Sequence, residues 1–241
     1  MFINEVIHGD CLDKMQSIPD KSIDMILCDL PYGTTACKWD TIIPFDKLWA
    51  QYERIIKDNG AIVLTASQPF TSALVMSNPK MFKYELIWEK PNPSNPLLAS
   101  KRYMSFHESV LIFYKKQPTF NSQKTKRLEA DKRKLVTDIF SRPEILGGAI
   151  INKIDTVSDL KHPSSVIKIS RQMGLHPTQK PVALFEYLIK TYTNEGDIVL
   201  DNCAGSGTTA IACLNTNRKY ICIEKEEKYI NIIVNRIIGL K

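Results

Sequence analysis

The chain has 241 residues, 44% of them hydrophobic, which suits one domain with a substantial core. No apolar run reaches the roughly 18 residues of a membrane span, and Met1–Glu5 has neither the basic nor the apolar region of a secretory leader, so a cytoplasmic protein is expected. The formal charge is +6, from 32 Lys and Arg against 26 Asp and Glu, too mild to define a partner unless it is clustered.

Ser22–Cys28 reads as a buried strand. Phe45–Ile56 places Leu48, Tyr52, Ile55 and Ile56 on one face of a helix that Asn59-Gly60 should stop, and Ala61–Thr65 starts a further strand. Tyr84–Trp88 and Ser109–Tyr114 look like two more strands, joined by a loop because Pro91, Pro93 and Pro96 fit neither a helix nor a central strand. From Gln117 to Arg171 the chain is polar, basic and interrupted by Pro, Gly and Ser. An inserted, function-specific lobe is expected there, drawn as residues 91–171 within a single catalytic domain of residues 1–241. Between Lys115 and Lys134, the basic residues Lys115, Lys116, Lys124, Lys126, Arg127, Lys132, Arg133 and Lys134 are opposed only by Glu129 and Asp131. Such a stretch suits phosphate contacts, and equally a solvated surface.

After Pro177, Pro181 is expected as the first residue of a helix with Val182, Leu184, Phe185, Leu188, Ile189 and Tyr192 on its apolar face, closed by Gly196. Asp197–Asp201 follows as a strand, Thr208–Asn215 as a helix, Lys219–Glu224 as a strand and Glu227–Ile238 as an amphipathic helix. This alternation predicts βαβ units, a parallel sheet and an α/β fold. The six cysteines show no C-x-x-C spacing and the four histidines no ligand pattern, so free thiols and no metal are expected.

Two segments carry chemistry. The first is Asp201-Asn202-Cys203-Ala204-Gly205-Ser206-Gly207-Thr208, between a strand and a helix, with Glu224 ending the next strand 23 positions after Asp201. That spacing is close to the roughly 20 residues expected for an acidic group that binds ribose hydroxyls. The glycines complete neither a dinucleotide fingerprint nor a P-loop. An acidic strand end repels pyrophosphate and attracts a cation, which favours S-adenosylmethionine: sulfonium, ammonium and ribose without phosphate.

The second is Asp29-Leu30-Pro31-Tyr32, a carboxylate, backbone carbonyls in a Pro-restricted turn and an aromatic ring at the end of the Ser22–Cys28 strand. An exocyclic amine has its lone pair delocalised into the base. Hydrogen bonds accepted from its two N–H groups by Asp29 and a nearby main-chain carbonyl favour a pyramidal nitrogen and stabilise the charge that develops on it. Tyr32 can stack on an extruded base. Without a Pro-Cys dipeptide, a covalent cysteine mechanism is disfavoured, and Cys28 and Cys203 read as small packing residues.

With the clamp preceding the cofactor loop, the chain resembles the β group of DNA amino-methyltransferases over nearly its whole length. The family clamp is usually D-P-P-Y or S-P-P-Y. Here Leu30 replaces the first Pro, at a position that acts through its carbonyl, and Asp29 resembles N6-adenine members more than N4-cytosine members. The resemblance implies a Rossmann-like methyltransferase fold, with a largely parallel seven-stranded sheet, helices on both faces and an inserted target-recognition lobe. It implies in-line methyl transfer from S-adenosylmethionine to the N6 of a flipped adenine in double-stranded DNA. N4-cytosine methylation, or amino-methylation of RNA or a protein glutamine, are the alternatives, and a non-catalytic binding module is the reading from another class.

His176-Pro177-Thr178-Gln179-Lys180-Pro181 resembles the family segment before the helix that closes over the methionine part, and Gly9-Asp10-Cys11 the segment lining the adenine of the cofactor. The implied catalytic residues are Asp29, Leu30, Pro31 and Tyr32. The implied cofactor residues are Asp10, Cys11, Asp29, His176, Thr178, Lys180, Asp201, Ala204, Gly205, Ser206, Gly207, Thr208 and Glu224. Phe70 sits where the family places an aromatic near the cofactor and is expected to pack in the core. Lys124, Lys126, Arg127, Arg133 and Arg142 are the expected DNA contacts, and the resemblance leaves a homodimer and a cognate restriction enzyme open as partners.

Overall fold

The computed structural model describes residues 3–35, 37, 40–127, 159–172 and 179–239. Two compact units result, Met1–Asn121 with Ser164–Lys241, and Ser122–Pro163. The second is shorter than the expected insertion, because residues 91–121 and 164–171 belong to the first unit.

In chain order the first unit contains β1 (Glu5–His8), α1 (Cys11–Met15), β2 (Ile23–Asp29), α2 (Phe45–Ile55), β3 (Ile56–Ala66), α3 (Phe70–Ser77), β4 (Phe82–Glu89) and β5 (His107–Phe113). The second unit contributes a two-stranded antiparallel ribbon, β6 (Thr125–Lys126) with β7 (Leu160–Lys161). The first unit resumes with β8 (Val166–Lys168), α4 (Val182–Tyr192), β9 (Ile198–Asp201), α5 (Thr208–Asn215), β10 (Lys219–Glu224) and α6 (Glu227–Ile238).

Eight described strands form one sheet in the order β1-β10-β9-β2-β3-β5-β4-β8, parallel except for β5, which runs antiparallel to both β3 and β4. Seven strands were expected. The eighth, β8, lies in the stretch assigned to the insertion. It is too short to show a period, and it is held by pairing with β4 and by Trp88 Nε1 donating to the Ile169 carbonyl at 2.9 Å.

Both faces of the sheet are covered, so Met25–Cys28 of β2 and Gly60–Ala66 of β3 are buried throughout. Along β2 and β3, Ile26, Cys28, Ile62 and Leu64 join one core with Met15, Leu48, Tyr52 and Phe70 from α1, α2 and α3. The alternate residues Met25, Leu27, Ala61 and Val63 join the other with Leu184, Leu188, Ala210 and Ile233 from α4, α5 and α6. Period-2 side-chain alternation thus feeds two apolar layers. Each fully buried Leu or Ile contributes about 1.5–3 kcal/mol relative to exposure.

Two boundaries differ from expectation for physical reasons. Asn59-Gly60 does not stop α2, which already ends at Ile55; it lies within β3. There four residues of β3 face the single Asp24 of β2 between the Ile23–Ile56 and Met25–Ala61 pairs. Gly60 permits this bulge because a Cβ would stand 2.8 Å from the Asp24 carbonyl oxygen. Likewise α4 ends at Tyr192, and Gly196 instead occupies the following turn, its N–H donating to the Asn217 carbonyl. Pro181 caps α4 from just outside its first residue, Val182.

β2 and β9 are neighbours, yet the chain leaves β2 toward β3 and leaves β9 toward β10, which makes their boundary the point where strand order reverses. Open α/β sheets bind ligands at the carboxyl ends of strands at such a point. Asp29 and Asp201 end these two strands.

Candidate active site

The β2–β9 ladder stops at Ile26–Leu200, whereas β2–β3 continues to Asp29–Thr65. Where the ladder ends, a cavity of about 820 Å³ opens, lined by the expected clamp, the expected cofactor loop, Asp10, Cys11, Lys180 and Glu224.

Asp29 is gripped on both carboxylate oxygens. Oδ1 accepts hydrogen bonds from the Tyr32 hydroxyl at 2.7 Å and from Thr65 Oγ1. Oδ2 accepts from Lys180 Nζ at 2.7 Å. Lys180 Nζ also lies 3.2 Å from Glu108 Oε2, and Lys90 Nζ lies 2.8 Å from Glu108 Oε1 and donates to Ser94 Oγ. The result is an alternating chain of charges, Asp29, Lys180, Glu108 and Lys90, whose two lysines are almost wholly buried. Burial alone would lower the Lys180 pKa, but Asp29, Tyr32 and Glu108 hold it well above its ordinary value. Burial would raise Glu108, but Lys180 and Lys90 keep it below its ordinary value.

The Tyr32 ring stacks on Phe70 with centroids 5.1 Å apart, and burial followed by the Asp29 charge pushes its hydroxyl well above the usual phenol range. Phe70 is buried in the core, as expected, and from there it orients Tyr32. Leu30, which replaces the family proline, is also buried, packing its side chain into the core beside α2. The loop after Tyr32 is fixed by Asp40, whose carboxylate accepts the N–H groups of Gly33, Thr34 and Thr35 at 2.8, 2.9 and 2.7 Å. Burial would raise its pKa, yet these donors hold it below the ordinary value.

Across the cavity, Asp201 is buried and turned inward. Oδ1 accepts the Cys203 N–H at 3.0 Å and Oδ2 the Thr209 hydroxyl, so the carboxylate shapes the loop that follows it. Burial pushes its pKa up to about 6, against the hydrogen bonds from Thr209, the Cys203 N–H and Cys28. Glu224 accepts the Gly205 N–H at 2.7 Å and the Glu226 N–H at 2.8 Å, and its pKa is raised by burial. Asp10 caps α1 by accepting the Leu12 N–H at 3.0 Å, and it faces Lys225 at 3.3 Å.

Ala204, Gly205, Ser206 and Thr208 all line the cavity, with Cys11 opposite. Gly207 does not. It starts α5 with φ of 79° against Ile233 and serves the backbone. Lys180, expected at the cofactor, lines the cavity and donates its ammonium to Asp29, while its carbonyl accepts the Thr208 hydroxyl at 3.1 Å.

Lys124, Lys126 and Arg127 lie on or beside the β6–β7 ribbon, the two lysines exposed and Arg127 half-buried with its N–H on the Asp159 carbonyl. His176, Thr178, Arg133 and Arg142 lie outside the described residues. Among the described residues, no group of three or more His, Cys, Asp or Glu is placed to hold a metal ion.

Sequence reading missed Thr65, Glu108, Lys90 and Asp40. Thr65 had a signal, a polar residue ending the apolar run Ala61–Leu64 beside the clamp strand. Glu108 had none, because it reaches Lys180 only through the antiparallel placement of β5.

The fold and the paired strand ends define a ligand-binding α/β protein with an acidic cleft at its switch point. A family model described as DNA methylase matches residues 23–235, and the chain belongs to that family. It is 30% identical over 260 aligned positions to the Type II methyltransferase M2.MboI of Moraxella bovis, covering 96% of this chain and 86% of that one. Over 253 positions it is 30% identical to the DNA adenine methyltransferase YhdJ of Escherichia coli (strain K12), covering 96% and 82%. Among solved structures, the M1.HpyAVI–SAM complex matches with a TM-score of 0.66 at 26% identity, over 96% of this chain and 98% of that one. The cytosine-N4-specific PvuII DNA methyltransferase matches with a TM-score of 0.68 at 16% identity, over 96% and 85%, a likeness of fold.

Proposed function

We propose that this enzyme transfers a methyl group from S-adenosylmethionine to the N6 amino group of adenine in double-stranded DNA. The observation that carries the reading is the single cavity shared by the Asp29–Tyr32 clamp and the Cys203–Thr208 loop. Support for adenine comes from Asp29 as the first clamp residue and from likeness to a relative named as a DNA adenine methyltransferase.

The donor set fits the cofactor. The cavity is lined by Asp10, Asp29, Asp201, Glu224 and Glu226, a surface that attracts a sulfonium and an ammonium and repels phosphates. Glu224 and Asp10 are suited to ribose and adenine polar groups, and Ala204–Ser206 with Cys11 to the apolar edges. When bound, the cofactor supplies an electrophilic methyl group.

The chain's own work is done at Asp29. Each carboxylate oxygen has two lone-pair directions, so the extruded amine can donate to Asp29 beside Lys180. Tyr32 and Thr65 fix Oδ1, Phe70 fixes Tyr32, and Asp40 fixes the turn beyond. The carboxylate therefore needs little reorganisation as positive charge grows on the amine nitrogen. Lys180 holds Asp29 Oδ2 in place at the point where the proton released after transfer is accepted.

Lys124, Lys126 and Arg127 are suited to phosphate contacts. The reading extends to a cytoplasmic enzyme, to a homodimer and to a cognate restriction enzyme; no helix of the described residues is long and apolar enough to cross a membrane. The test is transfer of labelled methyl from S-adenosylmethionine to unmethylated genomic DNA, with identification of the product nucleoside. N6-methyladenine is expected, and N4-methylcytosine or an unlabelled DNA would overturn the reading.

A further inference from the structure

The loop between β4 and β5 carries side chains that the methyl-transfer site does not use. It is an ordered turn. Lys90 N–H donates to the Phe106 carbonyl at 2.7 Å and Ser94 N–H to the Ser105 carbonyl at 2.9 Å, which joins its two arms. Asn95 Oδ1 accepts the Ser105 N–H at 2.7 Å, and the Leu98 carbonyl accepts Lys101 and Arg102 N–H groups at 2.9 and 3.0 Å. Its base is tied to the buried Lys90–Glu108 pair at 2.8 Å.

Although held in this way, the turn thrusts its apolar residues outward. Tyr103 is 99% exposed and Leu97 94% exposed, the extremes among the large hydrophobic residues described. Leu98, Met104 and Phe106 are exposed beside them. A turn that orders its backbone while leaving such side chains in water gains nothing from them in the free protein, which marks the tip as a contact surface. The partner is indicated by what surrounds it. Lys101 and Arg102 sit between Leu97 and Tyr103 and form no ion pair among the described residues, while Ser94, Asn95, Arg102 and Ser105 of the same loop line the cavity that holds Asp29.

We propose that this loop opens the duplex: its basic residues hold phosphates at the mouth of the cavity, and Tyr103, supported by Leu97, fills the stack that the extruded base vacates. The proposal rests on the DNA reading above. Unpairing and unstacking a base costs a few kcal/mol, and proteins that distort DNA commonly offset this by inserting apolar wedges. An aromatic ring on a rigid turn can stack on either neighbouring base pair without reading its sequence.

The experiment compares the parent with Tyr103→Ala, the double variant Leu97→Ala/Tyr103→Ala and Tyr103→Trp on two duplexes. One is fully paired. In the other, the target base lies opposite an abasic site and is already unpaired. Both alanine variants should lose at least tenfold in kcat/KM on paired DNA and less than threefold on the pre-opened duplex. Tyr103→Trp should retain activity on both, and S-adenosylmethionine affinity should be unchanged throughout. The increase in 2-aminopurine fluorescence at the target position on binding should fall in parallel with activity on paired DNA. Equal losses on the two duplexes, or no loss on either, would overturn the proposal, as would a change confined to sedimentation, which would make the tip a subunit contact. A parent that methylates no DNA would sink the function on which the proposal rests, while an active parent with indifferent variants would sink the loop alone.

Discussion

At Asp29, replacement by Ala removes the acceptor for the amine and leaves Lys180 buried beside Glu108 alone. Methyl transfer should fall by about 10²–10³-fold, on the scale of removing a preorganised electrostatic group, and S-adenosylmethionine affinity, read by calorimetry, by much less. Lys180→Met tests a different role. Without the ammonium, Asp29 Oδ2 loses the donor that holds it, and Glu108 keeps only Lys90 as its cation. The kcat should therefore fall more than cofactor affinity, with turnover and calorimetric binding measured side by side. An unchanged kcat would show that Lys180 does not position Asp29. These residues were unequally legible. Asp29 and Tyr32 stand in one short segment, and their meaning follows from adjacency to a strand end. Lys180 was legible as a site residue, but its ion pair with Asp29 was not, because a partner 151 positions away is set by the fold.

Among the elements, the βα turn before α5 is the most constrained. Gly207 holds φ of 79°, and a Cβ would lie 2.8 Å from Ile233 Cγ2 of α6. Gly207→Ala should cost about 1–3 kcal/mol in urea unfolding and weaken cofactor binding by tilting the loop that lines the cavity. Asp201→Asn probes the same turn through pH. Because burial raises the folded carboxyl from 3.8 to about 6, the folded state keeps its proton after the unfolded state has lost it. This group therefore favours folding most below about pH 4. That contribution declines as pH rises to about 6, by about 3 kcal/mol. The Asn variant should lack that decline, so the difference in stability between variant and parent should grow over this interval in unfolding series at fixed pH. The strands β2, β3, β9 and β10 were readable as continuous apolar runs because both faces of the sheet are covered. β8 and the Gly60 bulge were not, since three residues carry no period and a glycine signal alone does not separate a helix stop from a bulge.

The whole molecule combines an acidic cleft with basic side chains elsewhere on the chain. If Lys124 and Lys126 hold phosphates, replacing both with Ala should weaken binding uniformly across DNA sequences and reduce the slope of log K against log salt by about 2. A slope equal to the parent's would assign those lysines to solvent. The doubly wound order was foreseeable from the rhythm of helices and strands, and the pairing of the two ligand segments from their positions after apolar runs. The compact extent of Ser122–Pro163 was not, because polarity alone does not distinguish a second unit from loops that return to the main sheet.

Lys180 touches both halves of the cleft, its ammonium on Asp29 of β2 and its carbonyl on the Thr208 hydroxyl of the cofactor loop. One residue thus joins the two ligand segments physically, and any coupling between their occupancies is reciprocal by thermodynamic necessity. Whatever factor S-adenosylmethionine contributes to the affinity for DNA, DNA must return to S-adenosylmethionine. If S-adenosylmethionine tightens DNA binding, a cell that exhausts its methyl donor loosens the enzyme from its DNA, and donor supply governs residence on DNA as well as turnover.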